Sequence, residues 1–431
     1  MRLSLQASVI NPVAVITPAA VVNHGYFIPQ IKQTIIRTSM LKAVLLTALL
    51  FNTTAVSAFS PASSPKKNTT TVSAENTSSQ TVEIENLRVV DLQKTSPLAQ
   101  IVEQIDGAGV VFVGETHTRM DHHLVQLEIL KLLYEESPQL AIGLEWFQKP
   151  FQAHLDAYIA GEISEREMLH LTGYFERWGY DYRLYRPILQ YAREHKIPLI
   201  ALNASRELKY ALITSGFDGL PAELEAQLPE SYDWTDKAYE QRLRSVFEEH
   251  PEYEGEFEAF LRSQLTWDET MAESAVNYLE SNPESRLLIF AGSGHIMYGS
   301  GIPNRIKRRN NVAQVSILVS DDHTPIEKNI ADYIVLSTPQ MLEPGGLIGA
   351  LLETEGKLLV IKKFSENSAA KDAGMPEGSV IVAVDTNKVE SFSDFKLAVL
   401  GKKPGDSIEI SYLESIEDSS NGVKSVKLEL R

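Results

Sequence analysis

Short apolar runs, spaced apart by stretches with helical periodicity, constrain this chain more than any other feature. They fall at 109–113, 140–144, 198–202, 287–291, 313–318 and 332–336, with a first strand predicted at 87–92. A run that is apolar on every residue has no face to give to water. Such strands, alternating with helices, predict an α/β fold: a mostly parallel sheet flanked by helices. Ligands of such sheets sit outside the carboxyl ends of the strands, so the residue that ends each run matters. Four runs end in Glu115 and His117, Glu145, Asn203, and His295. Two of these share the pattern Gly-x-x-His: Gly114-Glu115-Thr116-His117 and Gly292-Ser293-Gly294-His295. Strand-to-helix turns also favour Glu, Asn and Gly as caps and turn residues, and that plainer reading stands beside the chemical one.

Helices are predicted near 99–106, from 121 to 137, at 148–159 and 164–171, at Arg186–Glu194, and over much of 205–281 with turns near 216–221 and 250–251. His123, Leu127, Leu130 and Tyr134 fall on one face of the second of these, so His123 also reads as a core histidine. A basic helix is predicted at 303–309. Its arginines read as a solvated face that pairs with an acidic protein. After Pro339 the pattern becomes short-stranded and Gly-rich, with alternation at 357–363, 379–384 and Ser407–Leu413 and one helix at 394–400; a small β-rich second domain is expected.

At 431 residues the chain exceeds one ordinary core. Its net charge of −17 argues against nucleic acid and anionic membranes as partners. The absence of cysteine removes disulfides, thiolate metal sites, a cysteine nucleophile and an acylated lipoprotein cysteine. From Met40 a short basic start, a compact apolar stretch and Ala55-Val56-Ser57-Ala58 describe a secretory signal cleaved after Ala58. Residues 59–82, rich in Ser, Thr, Asn and Pro, predict a disordered linker. The expected organisation is an N-terminal extension and signal at 1–58, a linker at 59–84, an α/β domain at 85–340 and a small β-rich domain at 343–431.

His117 and His295 are metal-ligand types, and Glu115 is the natural third partner or general base. Neither histidine sits in an HExxH helix, which excludes a standard zincin. Arg177, Trp178, Tyr180, Tyr182, Arg183 and Tyr185 form an aromatic and basic cluster suited to a flat ligand bearing carboxylates. No nucleophile elbow, Walker loop or dinucleotide fingerprint is present.

The motifs Gly114-Glu115-Thr116-His117, His122-His123-x-x-Gln126, Leu144-Glu145-Trp146-Phe147, Tyr185-x-Pro187, Asn203 and Gly292-x-Gly294-His295-x-x-Tyr298-Gly299-x-Gly301-Ile302-Pro303 resemble the ChaN-like haem-binding family. That family lies in a superfamily with Tiki-type metalloproteases and erythromycin esterases. The resemblance spans roughly 85–340. It implies an α/β domain that binds haem as a dimer in bacterial iron uptake; with the signal, the expected location is exported and periplasmic. It also implies that Glu115, His117, Glu145 and His295 form the working site. Tyr298 would be the axial ligand, with His122, His123 and Asn203 among the cofactor-binding positions.

Residues 343–431 resemble a bacterial PDZ domain. Leu347-Ile348-Gly349-Ala350 stands at the carboxylate-binding loop, and Asn367-Ser368-Ala369-Ala370-Lys371-Asp372-Ala373-Gly374 lies in the core; Ala369, Ser379 and Thr386-Asn387 replace the usual Pro, Asp and Asp-Gly. The resemblance implies that an extended protein C-terminus adds as a strand beside 348–352. Two other readings stay open: a divalent-metal hydrolase with His117, His295 and Glu115 as ligands, and a scaffold whose small domain does the work.

Overall fold

The computed structural model describes residues 95–249, 255–321, 324–415 and 422–431. The expected signal, the linker and the strand at 87–92 lie outside the described residues.

A six-stranded parallel sheet forms from β1 (Val110–Glu115), β2 (Leu140–Gln148), β3 (Leu199–Asn203), β4 (Arg286–Gly292), β5 (Gln314–Ser320) and β6 (Tyr333–Leu336). Its order is β3-β2-β4-β1-β5-β6. Every residue of β1, β2 and β4 is buried. The reason is the period of two: Val111, Val113, Ile142, Leu144, Leu288 and Phe290 enter one apolar layer. Val110, Phe112, Ala141, Leu287, Ile289 and Ala291 enter the layer on the opposite face. The helices that cover the first layer include Met120–Glu136 and Arg186–Glu194. The long helix Phe257–Ser281 and the helix Ile302–Arg309 cover the second.

Register sets the rim. Glu115 of β1 lies opposite Gly292 of β4, and β2 pairs with β4 as far as Leu144 opposite Phe290. Beyond Leu144 the strand β2 bulges, so that its next partner on β3 is Gln148 opposite Asn203. Glu145 therefore sits inside a longer strand than the sequence predicts, on an irregular stretch at the sheet's carboxyl edge.

A second sheet is antiparallel, with the order β12-β11-β9-β8-β7. It comprises β7 (Ala350–Glu355), β8 (Leu358–Phe364), β9 (Val380–Val384), β10 (Asn387–Lys388, paired with β9), β11 (Ser407–Leu413) and β12 (Lys424–Glu429). The strand β12 and the short helix Ala369–Asp372 were not foreseen. This sheet has its own core of Ile348, Leu359, Ile361, Ile381 and Ile408, among others. It is nonetheless tied to the α/β layers, and the described residues form one unit. Glu176 accepts hydrogen bonds from the Ser393 backbone N–H (3.1 Å) and hydroxyl (2.7 Å). Arg166 donates to the Leu397 carbonyl at 3.1 Å, and the Leu397 side chain enters the α/β core.

The basic helix corrects one expectation. Arg305 is 1% exposed and Glu269, on the long helix, is fully buried. Glu269 gathers Arg305 (3.3 Å), Arg308 (2.8 Å) and Arg309 (2.6 Å). The pairing was expected but the solvation was not: Ile302 and Ile306 seat the helix on the core and carry Arg305 in with them. A buried cation that loses its anion has no water to turn to. Glu269→Ala is accordingly expected to cost about 3–5 kcal/mol in urea unfolding, with some of that recovered in the double variant Glu269→Met/Arg305→Met. A loss below about 1 kcal/mol would mark the pair as an ordinary surface one.

Candidate functional site

The carboxyl ends of β1, β2 and β4 bring together the four residues of the expected working site. Glu115, 2% exposed, ends β1; His117, two residues on, turns back so that its Nδ1 donates to Glu115 Oε1 at 2.5 Å. From β2, Glu145 accepts the backbone N–H of Gly292 on Oε2 at 2.7 Å. His295 closes the group from the short turn Ser293–His295. Its Nε2 faces Glu145 Oε1 at 3.3 Å, and its Nδ1 donates to Asp268 Oδ1 at 2.5 Å. Glycine is required at 292. A Cβ there would lie 2.9 Å from His117 Cε1 and 3.1 Å from Nε2, so any side chain would push the imidazole off its carboxylate. Gly301 is the other such position: its φ is +66°, and any Cβ there would collide with the His295 carbonyl.

These pairings set the charges. Burial disfavours the His295 cation, but Asp268 and Glu145 outweigh it and raise the imidazole to about 10. Burial would likewise raise Glu145, yet His295 brings it down to about 2. His117 also rises above its ordinary value, with Glu115 overcoming the effect of burial.

The other expected cofactor positions stand behind the rim. His123, 1% exposed, spends Nδ1 on Gln126 Oε1 (3.0 Å) and Nε2 on the His117 carbonyl (3.2 Å). It is a core histidine with an acceptor at each ring nitrogen, one of them the backbone of His117, and a neutral imidazole donates to one of the two. His122 accepts the Thr116 N–H on Nδ1 at 3.0 Å, and burial lowers it to about 4, which keeps that lone pair available. Asn203 donates from Nδ2 to the Glu145 carbonyl at 2.7 Å and so pins the β2 bulge. Where contact with a ligand was expected of these three, the structure gives them supporting bonds, because each is buried under the turn it stabilises. Tyr298 adopts a left-handed φ of +61° and donates its hydroxyl to Glu327 at 2.6 Å, with Arg242 over its ring. Its contacts lead away from the four central residues.

The metal expectation is also revised. Among the described residues, no group of three or more His, Asp or Glu side chains is placed to hold an ion. The reason is local: both ring nitrogens of His295 face carboxylates, and His117 Nδ1 is taken by Glu115. His117 Nε2 is the one imidazole nitrogen of this pair with neither a hydrogen bond nor an ion pair among the described residues.

Half-buried aromatic rings border the group. Trp178 stands edge-on to His117 at 5.0 Å and Tyr180 is tilted against it at 4.6 Å. On the far side Trp267 lies 5.0 Å from His295, and the Lys209 ammonium sits 3.4 Å over the Trp267 ring. The expected cluster is thus divided. Trp178 and Tyr180 reach the site. Arg177 pairs with Glu207 and Gln148, Arg183 pairs with Asp181, and Tyr182 and Tyr185 are core residues.

Asp268, Trp267 and Lys209 were missed. A signal existed for Asp268: with Ala272, Ala275 and Leu279 it falls at i, i+4, i+7 and i+11, an acid on the apolar stripe of its helix. Trp267 and Lys209 had none, because half-buried positions on separate helices leave no spacing in common.

A family model described as haem-binding uptake, Tiki superfamily, ChaN matches residues 101–306. No curated protein was found to match the chain. Among solved structures, the chain is similar to ChaN of Campylobacter jejuni, solved for its cofacial haem binding. The match has 20% identity and a TM-score of 0.46, and covers 56% of this chain and 92% of that one. An erythromycin esterase, EreC, matches with 16% identity and a TM-score of 0.33, over 52% of this chain and 71% of that one. The PDZ domain of a carboxy-terminal protease from Vibrio cholerae, in complex with peptide, matches with 18% identity and a TM-score of 0.17, over 20% of this chain and 95% of that one.

His295 carries the clearest pH signature. Its folded value of about 10 lies above the ordinary 6.5, so the stability it contributes is complete below 6.5 and is lost as the pH rises through 10. His295→Gln should cost about 3–5 kcal/mol near neutral pH. The gap between wild type and variant should then narrow steadily in melts taken from pH 6.5 to 10. A gap that stays constant over that range would show that the imidazole is not held as a cation.

Proposed function

We propose that this chain is a haem-binding protein of iron uptake or haem handling, and that it takes haem at the strand ends around His117. The observation that carries this reading is the match of residues 101–306 to the haem-binding uptake family. The side chains present suit the group. An imidazole whose Nδ1–H is anchored on a carboxylate and whose Nε2 has no hydrogen bond is the donor arrangement that favours iron ligation. Trp178 and Tyr180 beside it offer apolar surface to a flat macrocycle. Tyr298 suits the axial role less well, because its bond to Glu327 holds the phenol above its usual value and iron needs the phenolate.

Bound haem would supply a redox-active iron at the rim. The chain's own contribution is electrostatic and steric. Glu115 fixes the tautomer and orientation of His117, His123 fixes its backbone, and Gly292 leaves room for the ring. His295, held between Asp268 and Glu145, keeps its nitrogens out of competition for the iron. Because His117 titrates above its ordinary value, the proton on its ring competes with iron, and affinity should weaken as the pH falls.

Titration of the full chain with haemin tests the reading. A saturable Soret shift is expected, lost by about tenfold or more in affinity in His117→Ala and kept in Tyr298→Phe, since removal of a ligand's anchoring typically costs that much. No saturable shift would end the haem reading. Loss in Tyr298→Phe alone would move the ligand to that residue.

The C-terminal sheet supports a second, separate proposal, that it binds an extended protein C-terminus. The strand β7 is an edge strand with the helix Phe392–Ala398 packed nearby, and Leu347 before it is 62% exposed. Gly349, at φ +71°, turns the chain between them. An added strand would bond to the β7 edge while backbone N–H groups of 348–350 hold its carboxylate, the Leu347 N–H being already given to the Arg431 carbonyl at 2.9 Å. A labelled apolar peptide with a free carboxylate should bind measurably in anisotropy titrations, and its amide about tenfold or more weakly. Equal binding of the two would remove the carboxylate-loop assignment.

A further inference from the structure

Lys209, near the site, is a cation that meets an aromatic ring and no carboxylate among the described residues. It lies on the helix Arg206–Ser215, which begins at the carboxyl end of β3. Its ammonium rests 3.4 Å over the Trp267 ring, and Trp267 in turn meets His295. Among the described residues no carboxylate stands within ion-pair distance of it, although Glu145 is near enough to favour its charged form. That separates it from the neighbouring cations. Arg177 is held bidentately by Glu207, and Arg206 donates to the Glu176 carbonyl at 2.7 Å. Burial lowers Lys209 to about 8, so the position carries a real desolvation cost. A half-buried ammonium held on an aromatic face without an anion is a donor with unused capacity.

The site has two ends. At one, His117 stands between Trp178 and Tyr180; at the other, His295 leads through Trp267 to Lys209. We propose that Lys209 receives an anionic substituent, a carboxylate, of the ligand whose flat body lies against these aromatic rings. Aromatic surface with a single cation at its far end discriminates by charge at that end: a carboxylate gains a charge-assisted hydrogen bond, while its neutral ester leaves the ammonium as it was. On the haem reading, on which this inference rests, the carboxylate is a propionate.

Haemin and its dimethyl ester separate the two possibilities, each titrated into the full chain, Lys209→Met and Lys209→Arg. Wild type should prefer haemin. Lys209→Met should lose about tenfold or more in haemin affinity with the dimethyl ester unchanged, and Lys209→Arg should retain most of the preference, since a guanidinium also holds a carboxylate. Thermal melts of the two variants confirm that each is folded. Equal losses for both ligands in Lys209→Met would show that the side chain only packs on Trp267, and no loss for either would also overturn the proposal while leaving haem binding intact. Failure of wild type to bind either ligand would bring down the haem reading and this one with it.

Discussion

Carboxylates buried at the end of a parallel sheet have to be neutralised, and the rest of this site follows from how that is done. Glu115 and Glu145 are 2% and 0% exposed, and Asp268 is 1% exposed. Anions so far from water persist only when paired and hydrogen-bonded. Here the partners are imidazoles, arranged so that His117 answers Glu115 and His295 lies between Asp268 and Glu145. The two histidines are left in different states of commitment. Both nitrogens of His295 are spent, whereas His117 keeps one to offer. A pair that looks equivalent in sequence is therefore inequivalent in chemistry.

Much of the surrounding polar structure keeps backbone in place. His123 bonds the carbonyl of His117, His122 the amide of Thr116, and Asn203 the carbonyl of Glu145. The first two bind main-chain groups just past the end of β1, and the third binds one at the β2 bulge, where the ladder is interrupted. Conspicuous motif residues thus divide into those that face the rim and those that hold it. Arg305 and Glu269 have a comparable role in the helical layer, joining two helices through a buried ion pair that has specificity to offer even where its net stabilisation is small.

The C-terminal sheet is packed against the same region. The helix Phe392–Ala398 is capped by Glu176, which belongs to the turn of helix Tyr174–Arg177, and Trp178 follows directly. The wall beside His117 is therefore built on a segment that the second sheet also grips. His170 and Asp394, 3.4 Å apart, add a surface ion pair to the same junction.

From the chain alone, the fold was largely legible. Runs such as 109–113 and 287–291 are apolar at every position, and only a sheet covered on both faces can bury them so. The strand ends were legible for the same reason: Glu115, His117, Glu145 and His295 break those runs abruptly. Short elements with weak periodicity, such as β12 and the helix Ala369–Asp372, were not. Neither was the depth of Arg305, because a charged residue reads as exposed until its neighbours are known.

The sequence by itself determined the class of architecture and the residue types at its rim, since patterning at periods of 2 and 3.6 is local information. Only the tertiary structure decided which of those residues face one another, which nitrogen stays unbonded, and that Asp268, Trp267 and Lys209 join them. Those facts depend on the strand order β2-β4-β1 and on the register of Glu115 with Gly292. Both are set by the packing of segments more than a hundred residues apart, as the bond between Gly292 and Glu145 illustrates (147 residues).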